Sequence, residues 1–108
     1  MNIDLSNRRV IVTGASRGIG RAIATAFATD GALVAICARN EGEVAAAGRA
    51  LAEHAGAVIA RSVDDTDTAA VRRFVDEVAA GWGGVDVLVN NAGQGRGGNL
   101  DTLTPEQI

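Results

Sequence analysis

Val10-Ile11-Val12-Thr13-Gly14-Ala15-Ser16-Arg17-Gly18-Ile19-Gly20 is the stretch on which the fold turns. Its first three residues are apolar and β-branched, with none of the polar alternation of a half-exposed strand. They read as a strand buried on both faces, which requires a parallel sheet covered by helices on each side. Small residues then break the strand. From Gly18 the spacing becomes helical, with Ile23, Ala26 and Phe27 on one face, and Asp30-Gly31 closes the helix after Thr29.

The same alternation continues outward. A second strand is expected over 32–37. A helix over 41–54 follows, with Val44, Ala47 and Leu51 on one stripe and Gly56 as its stop. Val58 and Ile59 belong to a third strand. Asp65 or Thr66 is placed to cap a third helix whose positions Val71, Phe74, Val75 and Val78 have helical spacing, ended by Gly81. A fourth strand is expected over 85–89, and Thr104 with Pro105 behind it starts a further helix. Strand and helix in strict alternation predict βαβ units, hence an α/β fold with a parallel sheet in the order 3-2-1-4, right-handed crossovers and helices on both faces. In a chain of this length the outer edge of the fourth strand is expected to lie open, a point of aggregation or of pairing with a partner.

Composition agrees with a single globular unit over residues 1–108, since 47% of the residues are apolar and 21% charged. Ten basic against thirteen acidic residues leave a net charge of −3, which argues against a nucleic-acid or anionic-membrane footprint. Cys37 is the only cysteine, so neither an intramolecular disulfide nor a multi-thiolate metal cage can form, and a reducing compartment fits. The N-terminus has no basic segment followed by an apolar run, and no stretch approaches the ~18 uninterrupted apolar residues of a membrane span. The expected location is the cytoplasm. Trp82 is expected as a core plug, Cys37 as a small buried strand residue and His54 as a solvated helix-end residue.

The glycines of the opening stretch carry chemical meaning through their position. One directly after the strand permits a turn that other residues would strain. A second lets a pyrophosphate approach the backbone, and a third lets the helix pack tightly on the strand. The helix N-terminus then offers unpaired N–H groups and a partial positive charge to phosphate. In a chain with 14 glycines, spaced pairs alone mean little; placement between a buried strand and an amphipathic helix makes the signal specific. No Gly-Lys-Ser/Thr follows, so this is not the mononucleotide P-loop.

Thr13-Gly14-x-x-x-Gly18-x-Gly20 resembles the turn of the short-chain dehydrogenase/reductase family. Two further segments carry the same resemblance: Asn90-Asn91-Ala92-Gly93 after the fourth strand, and Asp64 after the third. The resemblance implies a Rossmann-type, doubly wound fold, incomplete in this chain, and a nicotinamide dinucleotide as cofactor. It assigns the phosphates to the turn formed by Gly14, Ser16, Arg17, Gly18, Ile19 and Gly20. Asp64 and the backbone of Asp65 are assigned to the adenine. Asn90 offers its backbone to the adenine ribose and its side chain as a tie between neighbouring strands, while Ala92 and Gly93 leave room for the cofactor.

NAD-dependent Rossmann enzymes hold the ribose hydroxyls with an acid about 20 residues beyond the glycines. Here Cys37-Ala38-Arg39-Asn40 contains no acid. Arg39 and Arg17 instead supply two guanidinium groups for one 2′-phosphate, which favours NADP(H) over NAD(H). At roughly 1.5–3 kcal/mol per charge-assisted hydrogen bond, the pair is worth about two decades or more before side-chain ordering is subtracted.

The family's chemistry uses a serine that polarises the substrate oxygen and a Tyr-x-x-x-Lys pair. This sequence contains no tyrosine, and all ten of its basic residues are arginine. No catalytic residue is therefore assigned. The chain is expected to be the front part of a longer oxidoreductase acting on a small-molecule carbonyl or alcohol, homo-oligomeric when complete. The alternative is a naturally short, non-catalytic nucleotide-binding or interaction module. An in-frame continuation to a Tyr-x-x-x-Lys segment separates the two.

Overall fold

The computed structural model describes residues 6–91 and the backbone of a short strand at 101–103. The elements are β1 (Arg9–Thr13), α1 (Gly18–Thr29), β2 (Leu33–Ala38), α2 (Glu41–Leu51), β3 (Ala57–Ser62), α3 (Thr68–Trp82), β4 (Val87–Asn90) and β5 (Asp101–Leu103). They build one sheet in the order β3-β2-β1-β4-β5. The β3-β2-β1-β4 portion is parallel, with Thr13 opposite both Cys37 and Asn90, and Ala38 opposite Ser62. The expected order 3-2-1-4 is therefore present.

β1 is central, and Val10, Ile11 and Val12 are all fully buried. The two-residue period of a strand sends them to opposite faces. Val10 and Val12, with Val34, Ile36 and Val89, pack under α1 and α2 against Ala24, Ala28, Val44, Ala47 and Leu51. Ile11, Ala35, Cys37 and Leu88 pack on the other face against Phe74, Val75 and Val78 of α3, with Trp82 at the margin of that cluster. The sheet thus has a helical layer on each side, and burial pushes the Cys37 thiol up to about 12. His54 is exposed.

Several local expectations are corrected. The buried stripe of α1 is Gly20, Ala24 and Ala28, flanked by Ile23 and Phe27, and Ala26 faces solvent. Here the smallest residues face the sheet, which lets the helix sit close to it. α2 stops at Leu51, short of His54. α3 is capped by neither Asp65 nor Thr66: the Asp67 carboxylate accepts from the N–H groups of Ala69 (3.0 Å) and Ala70 (3.2 Å). The helix runs through Gly81 and ends at Gly83, whose φ of 78° is left-handed and carries the capping turn.

The expectation of an open edge on β4 is also overturned. β5 lies antiparallel to β4, with Leu103, Thr102 and Asp101 opposite Leu88, Val89 and Asn90. An unpaired row of N–H and C=O groups is costly, and a chain that returns after the strand can pair it without a partner. The expected helix at Thr104-Pro105 lies outside the described residues.

An ion pair ties the start of β1 to the approach to β4. Asp86 Oδ2 accepts from the Arg9 backbone N–H (2.8 Å) and from its Nε (3.0 Å), while Oδ1 accepts from an Arg9 terminal nitrogen at 3.1 Å. The Arg9 guanidinium, then the Arg9 backbone N–H, hold the Asp86 carboxyl down at about 2, against an ordinary 3.8. A depressed carboxylate stabilises the fold above its unfolded value, and the contribution fades as pH falls from about 4 towards 2. Discounted for partial exposure, it is about 1–2 kcal/mol. Asp86→Asn is expected to lose that much at pH 7 in urea unfolding, and to flatten the acid limb of the stability profile. An acid limb that keeps its wild-type slope in the variant contradicts this role.

Candidate nucleotide-binding site

The parallel register brings the ends of β1, β2, β3 and β4 to one edge of the sheet, where a doubly wound fold places its ligand. Gly14 (φ 63°) and Gly18 (φ 65°) both adopt the left-handed conformation, so the turn depends on glycine at each. Gly20 is needed for a different reason. A Cβ there would drive into the Gly14 carbonyl and stand 2.6 Å from Asn91 Nδ2. That same Nδ2 donates to the Gly14 carbonyl oxygen at 3.0 Å, and the Thr13 hydroxyl donates to Asn90 Oδ1 at 3.0 Å. Asn91, directly after β4, therefore locks the glycine turn from below, and the Asn90 side chain ties β4 to β1.

Above the turn the surroundings are open. Arg17 is the N-cap of α1 in an extended conformation, and no side chain caps the helix. Arg17 and Gly18 are exposed, Ile19 is 62% exposed, and a Cβ at Gly18 would meet nothing within 4 Å. A helix N-terminus with no side-chain cap, beside a cradle that has room on its outer side, fits a phosphate group.

Arg39 follows β2 directly and is exposed. One of its terminal nitrogens donates to Asp64 Oδ1 (2.9 Å) and to the Thr66 hydroxyl oxygen (3.0 Å). The Ser62 hydroxyl donates to the Arg39 carbonyl at 3.0 Å, fixing the backbone from which the guanidinium extends. Asp64 Oδ1 also accepts from the Thr66 hydroxyl (2.6 Å) and the Thr66 N–H (3.1 Å). The Thr66 hydroxyl, then the Thr66 N–H and Arg39, hold the Asp64 carboxyl below the usual range. Asp65 is half-buried beside it. Because Asp67 takes the capping role, the Asp64 carboxylate is committed to this exposed cluster instead of to the helix.

Arg17 and Arg39 thus emerge from turns that follow adjacent, in-register strands, and the Ala15 N–H donates to the Cys37 carbonyl (3.3 Å) to hold those turns together. Ser16 is half-buried and donates to Glu43 Oε1 at 3.3 Å. Ala92 and Gly93 lie outside the described residues. The sequence alone gives Glu43, Thr66 and the Asn91 side chain no part in the site. Thr66 sits two residues from Asp64, a spacing that favours an Asx-type turn, but the partners of Glu43 and Asn91 are distant in sequence and carry no local signal. A separate cleft of about 340 Å³ between the end of β3 and α3, lined by Arg61, Arg73, Phe74 and Glu77 among others, meets this site at Ser62 and Asp64.

Known proteins share both pattern and fold. A family model described as short chain dehydrogenase matches residues 8–108. A sorbitol dehydrogenase of Cereibacter sphaeroides is 43% identical over 88 residues, 82% of this chain and 33% of that protein. A D-threitol dehydrogenase of Mycolicibacterium smegmatis is 41% identical over 92 residues, 85% of this chain and 35% of that protein. The crystal structure of L-sorbose reductase from Gluconobacter frateurii, complexed with NADPH and L-sorbose, superposes with a TM-score of 0.77 at 39% identity, covering 87% of this chain and 37% of that one. The chain spans about a third of the length of these relatives. With the glycine turn, its asparagine lock and a family match that runs almost end to end, the chain belongs to the short-chain dehydrogenase/reductase family.

Proposed function

We propose that this chain is the NADP(H)-binding part of an oxidoreductase that moves hydride between a nicotinamide cofactor and a small carbonyl or alcohol substrate, the proton-transferring residues lying outside these 108 residues. The observation that carries the cofactor choice is Arg39 directly after β2, with no acid at the end of that strand, beside the turn that bears Arg17. NADPH in the L-sorbose reductase structure supports the same choice.

Within the proposal, α1 receives the pyrophosphate at its N-terminus, Gly18 leaves space for it, and Arg17 with Arg39 neutralises the 2′-phosphate. Asp64 and the Asp65 N–H receive the adenine edge, and Asn90 the adenine ribose. The bound dinucleotide supplies or accepts the hydride. A carbonyl that takes a hydride also takes a proton at oxygen, and this sequence has no tyrosine or lysine to deliver it. Its one histidine, His54, lies just past the C-terminal end of α2, on a segment remote from the glycine turn.

The chain is therefore expected to bind NADPH more tightly than NADH and to turn over neither. Titration followed by dihydronicotinamide fluorescence, with a turnover assay on a panel of ketoses and aldehydes, tests both halves. Equal affinity for NADH, or steady NADPH consumption free of contaminating reductases, would refute the corresponding half.

A further inference from the structure

We infer that Glu43 is a specificity-determining residue that weakens the preference of this site for a 2′-phosphorylated nucleotide. It does so by holding the Ser16 hydroxyl and by placing a carboxylate at the rim of the turn that bears Arg17. The inference rests on the NADP(H) reading above and concerns a residue that reading does not use.

Glu43 occupies the third helical position of α2 behind the N-cap Asn40, and its backbone N–H donates to Asn40 Oδ1 at 2.8 Å. A glutamate there ordinarily folds back to the N-cap N–H, closing a capping box. In this chain the carboxylate instead reaches across to the β1–α1 turn and accepts from Ser16 Oγ at 3.3 Å. A hydroxyl has one hydrogen to donate. While Glu43 takes it, Ser16 has none for a 2′-phosphate held by its neighbour Arg17.

Electrostatics act in the same direction. Arg39, the other expected donor to the 2′-phosphate, is paired with Asp64 at 2.9 Å. Two arginines and two carboxylates make a nearly neutral rim, where the arginines alone would present two positive charges to a phosphate dianion. The four groups belong to three separate turns, and Glu43 is the one acid among them that meets the phosphate turn itself. Glu41 shares the first turn of α2 with Glu43 and makes no side-chain hydrogen bond or ion pair among the described residues. It therefore separates the effect of a local contact from that of lost charge.

The experiment uses the full 108-residue chain and its Glu43→Ala and Glu41→Ala variants, titrated with adenosine 2′,5′-bisphosphate and with 5′-AMP by calorimetry or NMR. Glu43→Ala is expected to tighten the bisphosphate about three- to tenfold at low salt, less at high salt, with 5′-AMP little changed. Glu41→Ala is expected to leave the ratio of the two affinities near wild type. Ser16→Ala is expected to cost bisphosphate affinity in the Glu43→Ala background and little in the wild-type chain, where the hydroxyl is already engaged. Glu43 lies on an exposed face and its capping N–H is untouched by alanine, so the variant is expected to keep the fold, which a melting curve checks. A bisphosphate-to-AMP ratio that Glu43→Ala leaves unmoved, or that Glu41→Ala moves equally, overturns the role of Glu43 alone. A chain that binds neither probe in any variant overturns the NADP(H) reading and this inference together.

Discussion

Gly20→Ala is expected to unfold much of the population of this chain, or to lower its melting midpoint by at least ~10 °C, although it adds a single methyl group. The methyl would stand 2.6 Å from Asn91 Nδ2 and closer still to the Gly14 carbonyl, whose mutual hydrogen bond holds the turn. One of these atoms is backbone and the other is pinned to it, so neither can yield without moving α1 off the sheet. A destabilisation of about 2–4 kcal/mol follows, at the upper end for overpacking, in a small domain with little to spare. Gly18→Ala provides the contrast. Its methyl enters open space, and only the left-handed φ of 65° resists it, at about 1–2 kcal/mol. Thermal melts of the two variants should therefore rank Gly20→Ala well below Gly18→Ala. A Gly20→Ala chain that melts like wild type would mean that helix and strand are not in the contact described.

The second large effect is on cofactor choice. Replacing Arg17 and Arg39 together with alanine is expected to weaken NADP(H) relative to NAD(H) by about a hundredfold, at the lower end of what two charge-assisted hydrogen bonds provide. The lower end applies because Arg39 leaves a partner to reach the phosphate: its bonds to Asp64 and Thr66 are made in the absence of ligand. That pair is well exposed on both sides, 64% and 56%, so giving it up costs little. Each single replacement should account for roughly a tenfold change. Ratios of dissociation constants, rather than absolute affinities, are the relevant readout, since either substitution also alters the turn around it. A double variant with the wild-type ratio would remove the basis for NADP(H) preference.

The parts of this molecule that were legible beforehand are those governed by local pattern. An unbroken apolar run at Val10-Ile11-Val12 can only be a doubly covered strand, and the helical spacing of Val44, Ala47 and Leu51 matches the buried face of α2. Strand order followed from those elements and the family resemblance. The misreadings share a different origin. Asp65, Thr66 and Asp67 are all competent N-caps, and which one serves depends on where β3 releases the chain. The inner face of α1 is its alanine stripe because the glycine turn draws the helix close, a tertiary effect that favours the smallest side chains. β5 was invisible because three residues beside a glycine-rich stretch carry almost no pattern of their own; they become a strand through the edge of β4. At the site, Arg17, Arg39 and Asp64 could be named from their positions, whereas the acids that occupy Ser16 and Arg39 could not, since those contacts span 27 and 25 residues of sequence.

If one edge of the sheet holds the adenosine end of a 2′-phosphorylated dinucleotide, as proposed, a backbone amide NMR titration of the whole chain with adenosine 2′,5′-bisphosphate will show it. The largest shift changes are expected at residues 14–20, at Arg39, and at Asp64 and Asp65, with His54 and Trp82 unmoved. Saturable shifts confined instead to the cleft around Arg61, Arg73 and Glu77, or no saturable shifts at residues 14–20, would contradict it.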